Sequence, residues 1–136
     1  MVPYALFADG QVIKVYDVET HRALAEPEAV HPGHPNPDGR WVRCHPPVIS
    51  AGGELTLPEL DLAYNDVARF YEAPLQLKAN GGMFLIDDFG RQQMPPEALL
   101  NRWIVPLEER MDFLTFHTGK KIAIPFETLI SLAYTP

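Results

Sequence analysis

The feature that most restricts this chain is a short apolar run that ends on acid: Met83-Phe84-Leu85-Ile86 followed by Asp87-Asp88, with Asn80-Gly81-Gly82 before it and Gly90 after it. Four consecutive apolar residues between glycines leave no polar parity to face water. They predict a strand over 83–87 buried on both faces, the pattern of a parallel sheet. Its two carboxylates then sit side by side at the strand's C-terminal end.

The neighbouring segments fit around that strand. Pro95 and Pro96 suit a first helical turn, and Leu99, Leu100, Trp103, Ile104 and Leu107 recur on one helical face, so an amphipathic helix runs to Glu108-Glu109-Arg110. Pro106 lacks the N–H that would reach the carbonyl of Arg102, which predicts a kink or an early end. Residues 111–126 alternate around Thr118-Gly119-Lys120 as a hairpin, and 128–134 (TLISLAY) form another buried strand. Nearer the N-terminus, two β-prone runs meet at Asp9-Gly10 and predict a hairpin over 4–16. Residues 27–40 are too dense in Pro, Gly, Asn and Asp to hold helix or ladder, and form a loop. Trp41 to Ser50 reads as extended chain broken by Pro46-Pro47, a short or edge strand. Two short helices are expected around 58–63 and 65–72, the second capped by Asn65 or Asp66.

Composition narrows the function classes. With 136 residues the chain forms one domain, 1–136, and its formal charge of -7 opposes binding to nucleic acid or an anionic membrane. The single Cys44 cannot close an internal disulfide, no apolar run reaches the ~20 residues of a membrane span, and no leader is evident, so a cytoplasmic setting is expected. His31, His34, Cys44 and His45 offer four zinc-type donors at irregular spacing, with ordinary surface histidines as the simpler account.

Adjacent acids at a strand mouth have a chemical logic in nucleotide hydrolysis. The first holds Mg2+, usually through water, and the second orients or deprotonates the attacking water. That logic makes Asp87 the metal-side acid and Asp88 the base. The surrounding order is GGMFLIDDFGRQQMPPEALLNRWIVPLEER, a hairpin with Gly-Lys at its turn, then IPFETLISLA. Over roughly residues 64–133 this resembles the Walker B strand, following helix, hairpin and next core strand of AAA+ ATPases of the MoxR-like, magnesium-chelatase-like and enhancer-binding groups. The resemblance implies an α/β fold, an incomplete P-loop core of parallel strands with flanking helices, plus two β-hairpins. It implies ATP and Mg2+ as cofactors of the complete protein, and ATP-driven remodelling of a protein or complex as the role. Asp87 and Thr135 fall at cofactor-binding positions, with Asp87 as the metal ligand, Asp88 as the catalytic base and Thr135 in the sensor slot.

The departures from that pattern are specific. The phosphate-cradling Walker A loop, G-x-x-x-x-G-K-[ST], is absent; the only Gly-Lys, Gly119-Lys120, has Leu114 at the upstream glycine position and Lys121 after it. The family's Walker B commonly ends Asp-Glu, and Asp88 is one methylene shorter. By itself, therefore, the chain is not expected to be a competent ATPase. It reads either as the Walker B segment of a longer ATPase or as a noncatalytic interaction module on the same scaffold. A P-loop-free, metal-dependent hydrolase is a third reading that lacks further acidic or His ligands. In the family's 5-1-4-3-2 sheet the 128–134 strand would be left as an apolar edge. Its expected cover is the N-terminal hairpin, a second copy, or a separate partner, and self-association or the remaining ATPase core is the expected partner of the chain. Arg91, Arg102 and Arg110 are expected to be solvated or ion-paired rather than to reach a neighbour's phosphate, and Glu108 and Arg110 to touch a neighbouring subunit. Lys120-Lys121 could meet a protein substrate, with loop solubility as the plainer account.

Overall fold

The computed structural model describes residues 2–24, 40–89 and 95–133. In chain order its elements are β1 (Val2–Pro3), β2 (Ala5–Ala8), β3 (Gln11–Lys14), β4 (Trp41–Val42), β5 (Val48–Ala51), a 3-10 turn (Leu57–Leu60), β6 (Ala63–Asn65) and β7 (Phe70–Glu72). They continue as α1 (Leu75–Lys78), β8 (Met83–Ile86), α2 (Pro96–Glu109), β9 (Met111–Thr115), β10 (Lys121–Pro125) and β11 (Leu129–Leu132).

The apolar run on 83–86 is the middle strand of a three-stranded sheet, order β11-β8-β5, parallel on both sides. Phe84 and Ile86 are fully buried, and with Ile49, Ala51, Leu55, Leu60, Leu99, Trp103 and Phe126 they form one core cluster under α2. The ring of Phe84 meets that of Trp103 edge-on at 5.3 Å. The expectation of burial on both faces holds for one face only. In register across the opposite face lie Val48, Met83 and Leu129, and Val48 and Leu129 are 59% and 66% exposed.

The N-terminal hairpin closes through Asp9 and Gly10 at φ 52 and 76, a left-handed pair matched to the twist of a two-residue turn. It does not cover the β11 edge as one expectation had it. Instead β3 runs parallel to β7 and builds a second sheet, order β2-β3-β7-β6. That sheet encloses the second core cluster with hairpin β9–β10, through Ile13, Val15, Tyr71, Leu114, Phe116 and Ile124.

Two further expectations are corrected. Residues 65–72 are not a helix: Asn65 Oδ1 accepts from Val67 N and Ala68 N at 3.0 Å each, so the side chain expected to cap a helix closes the β6–β7 hairpin instead. Only Leu57–Leu60 of the 58–63 segment winds, as a 3-10 turn. Helix α2 passes through the buried Pro106 and ends at Glu109, where Arg110 takes a left-handed C-cap at φ 58 and donates its N–H to Pro106 O at 2.9 Å. The 27–40 loop lies outside the described residues apart from Arg40.

The glycine pair before β8 has a packing reason. Pro47 O accepts the Met83 N–H at 2.9 Å, which presses the start of β5 onto Gly82, where an added Cβ would lie 1.9 Å from that same oxygen. Gly82→Ala must therefore separate two paired strands. It is expected to cost about 3 kcal/mol, the upper part of the usual overpacking range, read as a lowered urea midpoint; a loss below about 1 kcal/mol would show that the strand starts move apart freely.

Candidate functional site: the acidic mouth of the parallel sheet

Backbone pairing places the acids. Asp87 N donates to Ala51 O at 2.8 Å, Ala133 N to Ile86 O at 2.8 Å and Phe89 N to Ala133 O at 2.9 Å. The turn after β8 is thus pinned between the ends of β5 and β11. Asp87 is exposed and Asp88 half-buried, and the Asp88 N–H donates to Asp87 Oδ1 at 2.9 Å. Asp88 sits at φ 52, a left-handed conformation that Asp tolerates better than most residues. Phe89 then packs against the core cluster and anchors the turn from beyond.

At the same end of the sheet, Gly52-Gly53-Glu54 follows β5. The N–H of Gly52, 3.1 Å from Glu54 Oε1, and then the N–H of Glu54 itself hold this exposed carboxyl below the usual carboxylate range. Glu54 does not complete a cage, since no group of three or more His, Cys, Asp or Glu among the described residues is placed to hold a metal. Two adjacent carboxylates without further ligands suit Mg2+, which keeps several waters and takes its remaining oxygens from a phosphate substrate.

The other sequence candidates separate. Thr135, His31, His34 and Arg91 lie outside the described residues. Gly119-Lys120 is the tip of hairpin β9–β10, where Lys120 Nζ contacts Asp9 Oδ1 at 3.2 Å; it opens no helix that could cradle phosphate. His45 is exposed, and Cys44, half-buried, packs on the second core cluster. Arg102 is ion-paired as expected: it grips the buried Asp112 with Nη1–Oδ1 at 2.7 Å and Nη2–Oδ2 at 3.0 Å. Arg110 and Glu108 are exposed.

Two buried polar networks escaped the sequence reading. Asp112, 2% exposed, also accepts from Gln76 Nε2 at 3.0 Å and from Phe113 N at 2.8 Å, tying α1, α2 and β9 together. Its signal was present: Asp112 shares strand parity with Leu114 and Phe116, both buried. Lys78 is the second. Burial acts to lower its pKa, but hydrogen bonds to Glu72 at 2.8 Å and Asp17 at 3.1 Å outweigh burial and hold the ammonium above the usual lysine range. Beside it the buried His21 accepts the Asp17 N–H on Nδ1, so Nε2 carries the proton donated to Lys78 O at 2.8 Å. The Lys78 network ties the 17–21 turn to β7 and α1.

No protein-family profile matches the sequence, and no curated protein matches it either. Solved structures do. The complex between subunits BchI and BchD of magnesium chelatase, built on a cryo-EM reconstruction, superposes with a TM-score of 0.56 at 14% identity, covering 71% of this chain and 31% of that one. The crystal structure of NtrX from Brucella abortus gives 0.50 at 14% identity, covering 66% of this chain and 20% of the other. The chain thus spans less than a third of each neighbour. Among the described residues no helix is long and apolar enough to cross a membrane. The parallel order β11-β8-β5, flanked by α2 and accompanied by hairpins β2–β3, β6–β7 and β9–β10, is an α/β fold similar to part of each of these neighbours.

Proposed function

We propose that this chain supplies the acidic, Walker B-type half of a Mg-ATP site, which becomes a hydrolytic centre when a phosphate-binding segment completes it, and that the completed ATPase remodels a protein or a complex. The observation that carries this reading is the pairing of Asp87 and Asp88 at the C-terminal mouth of the middle strand of a parallel sheet. In α/β sheets that mouth is where ligands bind. Asp87, exposed and held by the Ala51 carbonyl, would hold Mg2+ through water. Asp88, turned by its left-handed backbone, would orient or deprotonate the attacking water. Bound Mg-ATP would supply the γ-phosphoryl group that water attacks, with ADP as the leaving group, and the Mg2+ would supply charge neutralisation.

A second reading is favoured by a separate observation. Among the described residues no glycine-rich loop opens a helix, so the same scaffold could serve as a noncatalytic interaction module. Manganese separates the two. Titrating Mn2+ to about millimolar levels is expected to broaden the NMR signals of 86–89 and 51–54 first, and Asp87→Asn to abolish that order. Broadening that ignores the mouth would favour the interaction module. Calorimetry with Mg-ATP is expected to show no binding up to about millimolar nucleotide; micromolar binding lost in Asp87→Ala would mean that the chain holds a complete site and would overturn the half-site reading.

A further inference from the structure

Three hydrogen bonds run from the turn before β8 to one short segment, the link between β10 and β11. Asn80 Nδ2 donates to Pro125 O at 2.7 Å, Glu127 N donates to Asn80 Oδ1 at 2.8 Å, and Gly81 N donates to Glu127 O at 2.8 Å. Both ends of the Asn80 carboxamide are therefore used, and Gly81 closes the same link beside it. From the inside, Phe126, 1% exposed in the first core cluster, and the buried Thr128 hold the link down. Asn80 itself is half-buried and Gly81 exposed, so water reaches the turn.

The groups tied in this way are the two reactants of a one-way backbone reaction. In an Asn-Gly pair the glycine nitrogen attacks the asparagine Cγ. A new C–N bond closes a five-membered succinimide, and the carboxamide nitrogen leaves as ammonia, carrying the proton that the glycine N–H gives up. Water then opens the ring to aspartate, or to isoaspartate, in which the main chain runs through Cβ and Cγ. Glycine favours the attack because it has no Cβ to obstruct it, and Gly81 sits at φ 82 with open space where a Cβ would be. The fold withholds only the freedom to react, since nucleophile and electrophile are both bonded to 125–127.

We propose that Asn80-Gly81 is a deamidation site that the fold keeps shut, and that its reaction is a one-way release of the β10–β11 link. Opening of 125–127 frees both reactants at once. Either product then opposes reclosure. A carboxylate oxygen in place of Nδ2 sets two acceptors against each other at Pro125 O. Isoaspartate also lengthens the main chain just before Gly82, where Pro47 O already lies within 1.9 Å of the position of an added Cβ. The new charge arrives close to the exposed Glu127, in a chain whose formal charge is -7. None of this depends on whether Asp87 and Asp88 bind Mg-ATP.

Peptide mapping by mass spectrometry tests the site, on the full chain held in mildly alkaline buffer with and without a denaturing concentration of guanidinium chloride. Asn80 is expected to convert about tenfold or more slowly in the folded chain than in the unfolded one. Phe126→Leu, which loosens the link, should accelerate the reaction of the folded chain, whereas Phe116→Leu, in the second core cluster, should leave it close to the parent rate. Asn80→Asp, the product mimic, should speed hydrogen exchange of the Gly81 and Glu127 amides by about tenfold or more while the amides of β8 stay protected. Equal conversion with and without denaturant, or none in either, would overturn the shut site. Equal acceleration by the two phenylalanine variants would assign the gate to global unfolding and overturn the local release. Unchanged exchange of Gly81 and Glu127 in Asn80→Asp would show that the carboxamide does not hold the link.

Discussion

Arg102→Ala is expected to lower the unfolding free energy by about 4 kcal/mol, a large share of the roughly 5–15 kcal/mol that holds a domain folded. The cost arises at the partner left behind. Asp112 is 2% exposed and receives both guanidinium nitrogens of Arg102; without them the carboxylate keeps only Gln76 Nε2 and the Phe113 N–H, two neutral donors. A buried carboxylate stripped of its countercharge costs far more than the pair contributes when whole, because the charge has already lost its hydration. The clamp also joins three elements, since Gln76 Nε2 bonds Leu60 O at 2.7 Å as well as Asp112. Urea unfolding followed by far-ultraviolet circular dichroism measures the loss. Replacing both partners by apolar residues, R102M with D112L, should recover at least half of it. A loss under about 1 kcal/mol for Arg102→Ala would mean that the pair behaves as a solvated surface bridge.

Trp103→Ala should cost a similar amount, about 4 kcal/mol, for a different reason. The indole is 1% exposed, the largest of the fully buried side chains, and lies edge-on to Phe84 beneath the sheet. Truncation removes its transfer free energy and leaves a cavity against the middle strand, whose short length limits any collapse. Its Nε1–H has no hydrogen-bond partner among the described residues. Trp103→Phe should therefore lose much less, about 1 kcal/mol, because the smaller ring also removes an unpaired buried donor. Equal losses for the two substitutions would show that the indole N–H is satisfied in solution. Because Phe84 leads directly to Ile86 and the acidic turn, Trp103→Ala should also broaden the amide signals of Asp87 and Asp88, linking this core to the candidate site.

Local chemistry alone determined a good part of this molecule. Asp9-Gly10 favours a tight left-handed turn, Pro95-Pro96 suits the start of a helix, and 83–86 has no polar parity with which to face water, so hairpin, helix and core strand were all legible residue by residue. The acidic mouth was legible too, since strand direction alone puts Asp87 and Asp88 at the C-terminal end. Other features depended on contacts between residues far apart in the chain. Asn65 carries the same carboxamide whether it caps a helix or closes a hairpin; what chose the hairpin was the parallel pairing of β3 with β7, 13–14 against 71–72, which no local pattern encodes. The same pairing drew the N-terminal hairpin into a second sheet and left β11 with β8 as its one strand neighbour among the described residues. Pro106 was tolerated because its ring is buried and the helix needs only one further turn, ending on the left-handed Arg110. Asp112 became a clamp because α2 carries Arg102 to it. Sequence determines each residue's conformational menu and charge. Only the tertiary structure decided which distant partners would satisfy them, since buried polar groups and strand edges take their stability from whatever the fold brings within reach.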